Sequence, residues 1–84
     1  MELKETIEMM NSEDYKQRFK AEYFQVTIRL RKLKEMLSDW DKGELKFVPT
    51  CPRSTYELQA RAMEDYKAVL QARAKMEDVN IYEA

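Results

Sequence analysis

Between Tyr15 and Trp40 the large apolar residues fall at intervals of 4, 4, 3, 4, 3, 4 and 3: Tyr15, Phe19, Tyr23, Val26, Leu30, Leu33, Leu37 and Trp40. A strand repeats every two residues, so only a helix gathers this set on one face. Nothing breaks the run, because the 84 residues include a single glycine, Gly43, and two prolines, Pro49 and Pro52. Asn11 and Ser12 offer an N-cap ahead of the acids Glu13 and Asp14, where the helix dipole favours negative charge. Gly43 supplies the C-terminal stop. The pattern predicts a helix over 13–42, roughly 45 Å long at 1.5 Å per residue.

The rest of the chain is arranged around that helix. Residues 2–10 form a short helix with Leu3, Ile7 and Met10 on one face. It is too short to stand alone in water and has to dock. Residues 43–53 form a loop that its two prolines keep extended, with Phe47 and Val48 placed to cover the end of a helix pair. Ser54 and Glu57 make an S-x-x-E capping box that opens a helix over 54–77. The tail, 78–84, has neither cap nor period and reads as loose. The fold class is all-α, one helical domain over 1–84: a short N-terminal helix followed by a long antiparallel hairpin.

If Lys42 and Ser54 mark the facing ends, opposed residues have numbers summing to about 96. Trp40 then meets Tyr56 and Leu58, Leu33 meets Met63, Leu30 meets Tyr66, and Val26 meets Leu70. Arg73 lands beside Tyr23 and Glu22. The last helix also carries more apolar surface than one seam uses: Leu58, Ala62, Met63, Tyr66, Val69, Leu70 and Met76 occupy two adjacent stripes. A hairpin buries one of them. Closed homo-oligomeric assembly is the expected remedy.

Composition narrows the chemistry. There is no histidine and one cysteine, Cys51, which removes most zinc sites and imidazole catalysis. One glycine forbids the usual phosphate loops. An enzyme would have to work with carboxylates, Lys, Tyr or the lone thiol. The expectation is a protein that is not an enzyme, with no cofactor and no metal. No apolar run approaches eighteen residues, and with no secretory signal the chain reads as cytoplasmic and away from membranes.

Fifteen basic and sixteen acidic residues leave a net charge of −1, unevenly spread. From Tyr15 to Lys34 there are seven basic residues and one acid, Glu22. A small anion suits such a patch, whereas the acids at both ends of the chain repel a long nucleic acid. Lys16, Lys20, Arg31 and Lys34 flank the apolar stripe as a solvated edge. Arg29 and Lys32 sit beside Leu30 and Leu33, where a long side chain can lie along apolar surface and place its charge at an interface. Tyr15, beside Lys16 and Arg18, is placed to stack a base while the cations hold phosphate. Phe19 and Tyr23 read first as core.

Ala62, Tyr66, Val69, Arg73 and Met76 lie on one stripe of the last helix, and Arg73 is its one charge. Two readings stand. Arg73 pairs with Glu22 across the hairpin, or several copies of it converge on an axis and require an anion to neutralise them.

The segment "QRFKAEYFQVTIRLRKLKEML" followed by "LQARAMEDYKAVLQARA" resembles the second anti-CBASS family, small helical phage proteins that act as cyclic-oligonucleotide sponges. Those proteins carry R-x-x-x-E and K-L on one helix and M-x-x-Y-x-x-V-L-x-x-R on the next. Here these are Arg18, Glu22, Lys32-Leu33, Met63, Tyr66, Val69-Leu70 and Arg73, within residues 14–76. The resemblance implies a homo-oligomer in the cytoplasm of an infected bacterial cell, with a hexamer favoured over a dimer or trimer. It implies cyclic dinucleotides held between protomers by a stacking aromatic and a lysine, and cyclic trinucleotides held through a late arginine. By motif the lysine is Lys32 and the arginine Arg73. By position the aromatic is Tyr15, with Phe19 in reserve. Sequestration without cleavage is the implied activity. The alternative is a helical oligomer that caps a host protein and has no nucleotide ligand.

Overall fold

A computed structural model describes residues 1–82, within which all regular structure is helical. A 3₁₀ turn over Leu3–Thr6 runs into the short helix α1, Ile7–Met10. The long helix α2 spans Tyr15–Asp41 and α3 spans Arg53–Met76. Cross-helix contacts pair rising numbers on α2 with falling numbers on α3. Tyr23 accepts a hydrogen bond from Gln71 at 3.3 Å, Lys34 pairs with Glu64, and Trp40 meets Tyr56 edge-on with centroids 6.1 Å apart. The molecule measures 43 × 24 × 19 Å.

The helix ends differ from expectation in instructive ways. α2 begins at Tyr15 because Asp14 is its cap, accepting the Lys16 backbone N–H at 3.0 Å. Ser12 acts one step earlier, accepting the Asp14 N–H at 3.1 Å. Ser54 does not cap α3. The helix starts at Arg53 behind Pro52, and Glu57 is drawn sideways onto Arg53 Nε at 3.1 Å instead of back to a cap. Pro52 suits the position, since its fixed φ feeds the first turn.

α2 stops as its glycine dictates. Gly43 has φ +70°, and the Glu44 N–H returns to the Asp39 carbonyl at 2.9 Å. α3 stops in the same way without a glycine. Asp78 takes φ +54°, and the Val79 N–H returns to the Ala74 carbonyl at 2.9 Å. This six-to-one closure brings Val79 against Ala74, the apolar contact that accompanies the motif. The segment after α3 is therefore not a loose tail over 79–82. Val79 and Ile81 are buried in one cluster with Phe19, Tyr23, Val26, Leu70 and Ala74. Residues 83–84 of the expected tail lie outside the described residues.

At the other terminus the buried residue is Thr6, while Ile7 is 58% exposed. The tighter 3₁₀ winding advances each residue by about 120° instead of 100°, so Leu3, Ile7 and Met10 do not share a face. Thr6 Oγ1 donates to the Leu3 carbonyl at 2.7 Å and accepts from Gln25 Nε2 at 2.8 Å. The N-terminal turns pack on α2 alone. This docking explains why Ala21 and Ile28, off the heptad stripe, are also buried.

Phe47 and Val48 are exposed and do not cover the end of the pair. That end is closed by Arg53, which lies over Trp40 and holds Asp41. The protected positions of α3 recur at 56, 60, 63, 67, 70 and 74. Tyr66 and Leu58 fall outside that set, so neither Leu30–Tyr66 nor Trp40–Leu58 is a core pairing. The stripe of Ala62, Tyr66, Val69, Arg73 and Met76 is exposed along its whole length.

Candidate functional site

Arg73 lies in the last turn of α3, and Phe19 in the second turn of α2. The guanidinium carbon sits 4.9 Å from the Phe19 ring centroid, a cation–π stack. Its Nε donates to Glu77 Oε2 at 2.8 Å, one helical turn on. Among the described residues neither terminal nitrogen of Arg73 makes a hydrogen bond. The Glu77 contact raises the Arg73 pKa, with smaller through-space contributions from Glu22 and Tyr15. Glu22 is thus nearby but is not the ion-pair partner. Of the two readings of Arg73, the Glu22 bridge is not formed; its place is taken by a contact along α3, which helical spacing makes cheap to form.

Tyr15 is half exposed at the start of α2. Next to it, Lys16 Nζ donates to the Asp78 carbonyl at 3.2 Å, tying α2 to the turn after α3. Four of the six candidates, Tyr15, Lys16, Phe19 and Arg73, therefore occupy one end of the helix pair. Phe19 is buried beneath the guanidinium, so it supports Arg73 and has no free face for a base. Tyr15 is the aromatic with exposed surface at this end. Arg18 Nη1 donates to the Ser12 carbonyl at 2.7 Å and so helps fix the approach to α2.

Arg29 and Lys32 lie elsewhere. Arg29 lines a recess of about 260 Å³ with Glu22, Met63 and Tyr66. Lys32 lines another, of about 380 Å³, where Glu35, Asp39 and Glu44 outnumber Lys32 and Lys46. Phe19 and Lys32 are separated along α2 by roughly 20 Å at 1.5 Å per residue. One copy of the chain does not bring Lys32 to Arg73.

The residues that sequence reasoning missed are Asp78, Val79 and Ile81, which build the floor and rim of the Arg73 end. The signal was faint: an Asp in place of the usual Gly, then two β-branched residues two apart. Among the described residues no group of three His, Cys, Asp or Glu side chains is placed to hold a metal ion. No helix among them is long and apolar enough to cross a membrane.

Residues 13–76 match the model of a known protein family, Sequestin. The chain belongs to the Sequestin family. The matched span contains α2, the loop and α3, and stops before the turn at Asp78. No curated protein and no solved structure matches the chain.

Proposed function

We propose that the chain captures a small anion, a cyclic di- or trinucleotide, between copies of itself and holds it without breaking a bond. The observation that carries this reading is the fork of Arg73, whose terminal nitrogens meet no acceptor among the described residues. Its Nε is engaged by Glu77 and its plane rests on Phe19, so the side chain is oriented before any ligand arrives. The two terminal nitrogens remain for a planar, bidentate acceptor, which a phosphate supplies. Little rotamer freedom is then lost on binding. Lys16 and the exposed ring of Tyr15 stand on the same end to add a second charge and a stacking surface.

The exposed stripe of α3 supports assembly. Val69 is 55% exposed and Met76 82%, on the same stripe as Arg73, so a second copy that covers the apolar residues also surrounds the cation. A family named for sequestration accords with capture instead of turnover. Capture without chemistry suits a chain with no histidine. In an infected bacterial cell such a protein would lower the free concentration of a signalling nucleotide. The same apolar stripe favours one second reading, a module that caps a host protein with no nucleotide.

Calorimetry with a panel of cyclic di- and trinucleotides separates the two. The proposal expects saturable heat with at least one member, a multimeric mass by light scattering, and intact ligand after denaturing the complex. Silence across the panel leaves the capping module. A cleaved product restores an enzyme.

A further inference from the structure

Four recesses stand out among the described residues, and their charge separates them. The largest, about 670 Å³ between α3 and the segment after it, holds Lys75 against Asp78. In the recess beside Tyr66, Arg29 meets Glu22, and around Lys32 the carboxylates prevail. The fourth is a groove of about 490 Å³ on the flank of α2 away from Arg29. There Arg31, Lys34 and Lys67 face a single lining carboxylate, Glu35. Of these four it is the one whose lining has a clear excess of positive charge.

Its other features suit the same kind of guest. Leu30 gives an apolar floor and Ser38 a hydroxyl at one end. Thr27 lines the inner wall. The cations are only loosely committed. Arg31 touches Glu35 at 3.7 Å, and Lys34 pairs with Glu64, both pairs about half exposed. Such surface pairs hold little free energy and yield readily to a doubly charged competitor. Sequence reasoning places Arg31 and Lys34 on a solvated edge. What changes the reading is Lys67, which α3 brings to the same groove.

We infer that this groove is a second binding site, for the phosphate of a small phosphorylated molecule of about mononucleotide size, formed within one copy of the chain. It is independent of Arg73. Arg31, Lys34 and Lys67 bracket the phosphate, Leu30 carries the uncharged part, and the Ser38 hydroxyl, one turn beyond Lys34, meets its polar edge.

The test is an amide NMR titration of labelled protein with adenosine 5′-monophosphate, with adenosine as the uncharged control. Saturable shifts at Thr27, Arg31, Lys34 and Lys67 are expected with the nucleotide and absent with adenosine. Lys67→Gln and Arg31→Gln, each shown to melt cooperatively, should weaken binding by about tenfold or more, the scale of a lost charge-assisted hydrogen bond. Arg73→Ala should leave it unchanged. The inference falls if there is no saturable shift, if shifts centre on Arg73, or if adenosine acts equally. It falls also if both groove variants bind like the parent chain. Because the cyclic-nucleotide panel reads Arg73 and this titration reads Lys67, each site can fail without the other.

Discussion

Arg53 and Arg73 are built alike at opposite ends of α3. Each stacks on an aromatic of α2, Trp40 at 5.3 Å and Phe19 at 4.9 Å. Each gives its Nε to a glutamate four residues on, Glu57 at 3.1 Å and Glu77 at 2.8 Å. They differ at the fork. Arg53 Nη1 and Nη2 both reach Asp41, at 2.7 and 3.2 Å, whereas the terminal nitrogens of Arg73 reach no acceptor among the described residues. The first arginine is completed by its own chain and clamps the loop. Among the described residues the second has the same preparation and no acceptor. The chain thus contains its own control for a satisfied guanidinium, and under the proposed function the external anion belongs where the two ends differ.

The largest effect should come from the floor beneath the open end. Ile81 is 3% exposed and shares the buried cluster with Phe19. Ile81→Ala should cost about 2–4 kcal/mol of unfolding free energy, read by urea denaturation. It should also weaken capture at Arg73, because the ring under the guanidinium loses its support. The Arg53 end, resting on Trp40 and Tyr56, should be unaffected. If Ile81→Ala unfolds no more easily than the parent chain, the segment after α3 is not part of the core.

Next comes the direct comparison. Arg73→Ala should reduce affinity for the captured nucleotide by about a hundredfold, two charge-assisted hydrogen bonds' worth, and lower the ligand-free melting temperature by less than Arg53→Ala, since Arg73 makes no bond like that to Asp41 among the described residues. Arg53→Ala should lower the melting temperature more and spare affinity. Calorimetry and a thermal melt on the two variants read both halves. Equal effects on affinity would erase the distinction drawn between the two ends.

How far these ends were readable from the sequence follows from the same contrast. α2 was legible because its period is regular and Gly43 is the residue that favours positive φ. The turn after α3 uses the same closure with Asp78 in that place, and Asp adopts positive φ less often, so the residues behind it read as loose. Once Val79 and Ile81 dock, they set the burial of Phe19 and hence its role as a support. Arg73 was visible as a charge on an apolar stripe, but its partner was not. Glu22 across the pair and Glu77 along the helix are both within reach by spacing, and only packing chooses between them. The N-terminal turns were legible as a docking piece, while their inward residue, Thr6, depended on 3₁₀ winding that no periodicity announces. Lys67 was invisible as a site residue for a further reason: its groove neighbours come from another helix.

A third test opens the closed fork. Asp41→Asn keeps the shape of the side chain and removes its charge, leaving Arg53 stacked but without its carboxylate. If an open fork alone made a binding site, this variant would gain affinity for the nucleotide at the loop end. The expectation is that it does not, because Tyr56 at this end is half-buried against Trp40, whereas Tyr15 beside Arg73 is exposed. The melting temperature should fall by less than in Arg53→Ala, since the Trp40 and Glu57 contacts survive. A new calorimetric site in Asp41→Asn would show that the fork, not its surroundings, decides capture.

The smallest effect is in acid. The hydrogen bond from Arg53 holds the Asp41 carboxyl below its ordinary pKa of 3.8, and that from Lys34 holds Glu64 below 4.5. A carboxyl with a lowered folded-state pKa stabilises the fold above its ordinary value. That contribution fades as pH falls through the ordinary value toward the folded one. Melting temperatures followed from about pH 7 down to about pH 3 should therefore drop more steeply for the parent chain than for Asp41→Asn, which has no charge to lose at that position. Both groups are exposed, so the gap is small. The comparison sharpens when ligand is present. A phosphodiester stays ionised well below the carboxylate range, so the anion at Arg73 should remain held at a pH where the carboxylate at Arg53 has begun to protonate. If bound nucleotide is released over the same interval in which Asp41 titrates, its capture depends on a carboxyl and not on the guanidinium of Arg73.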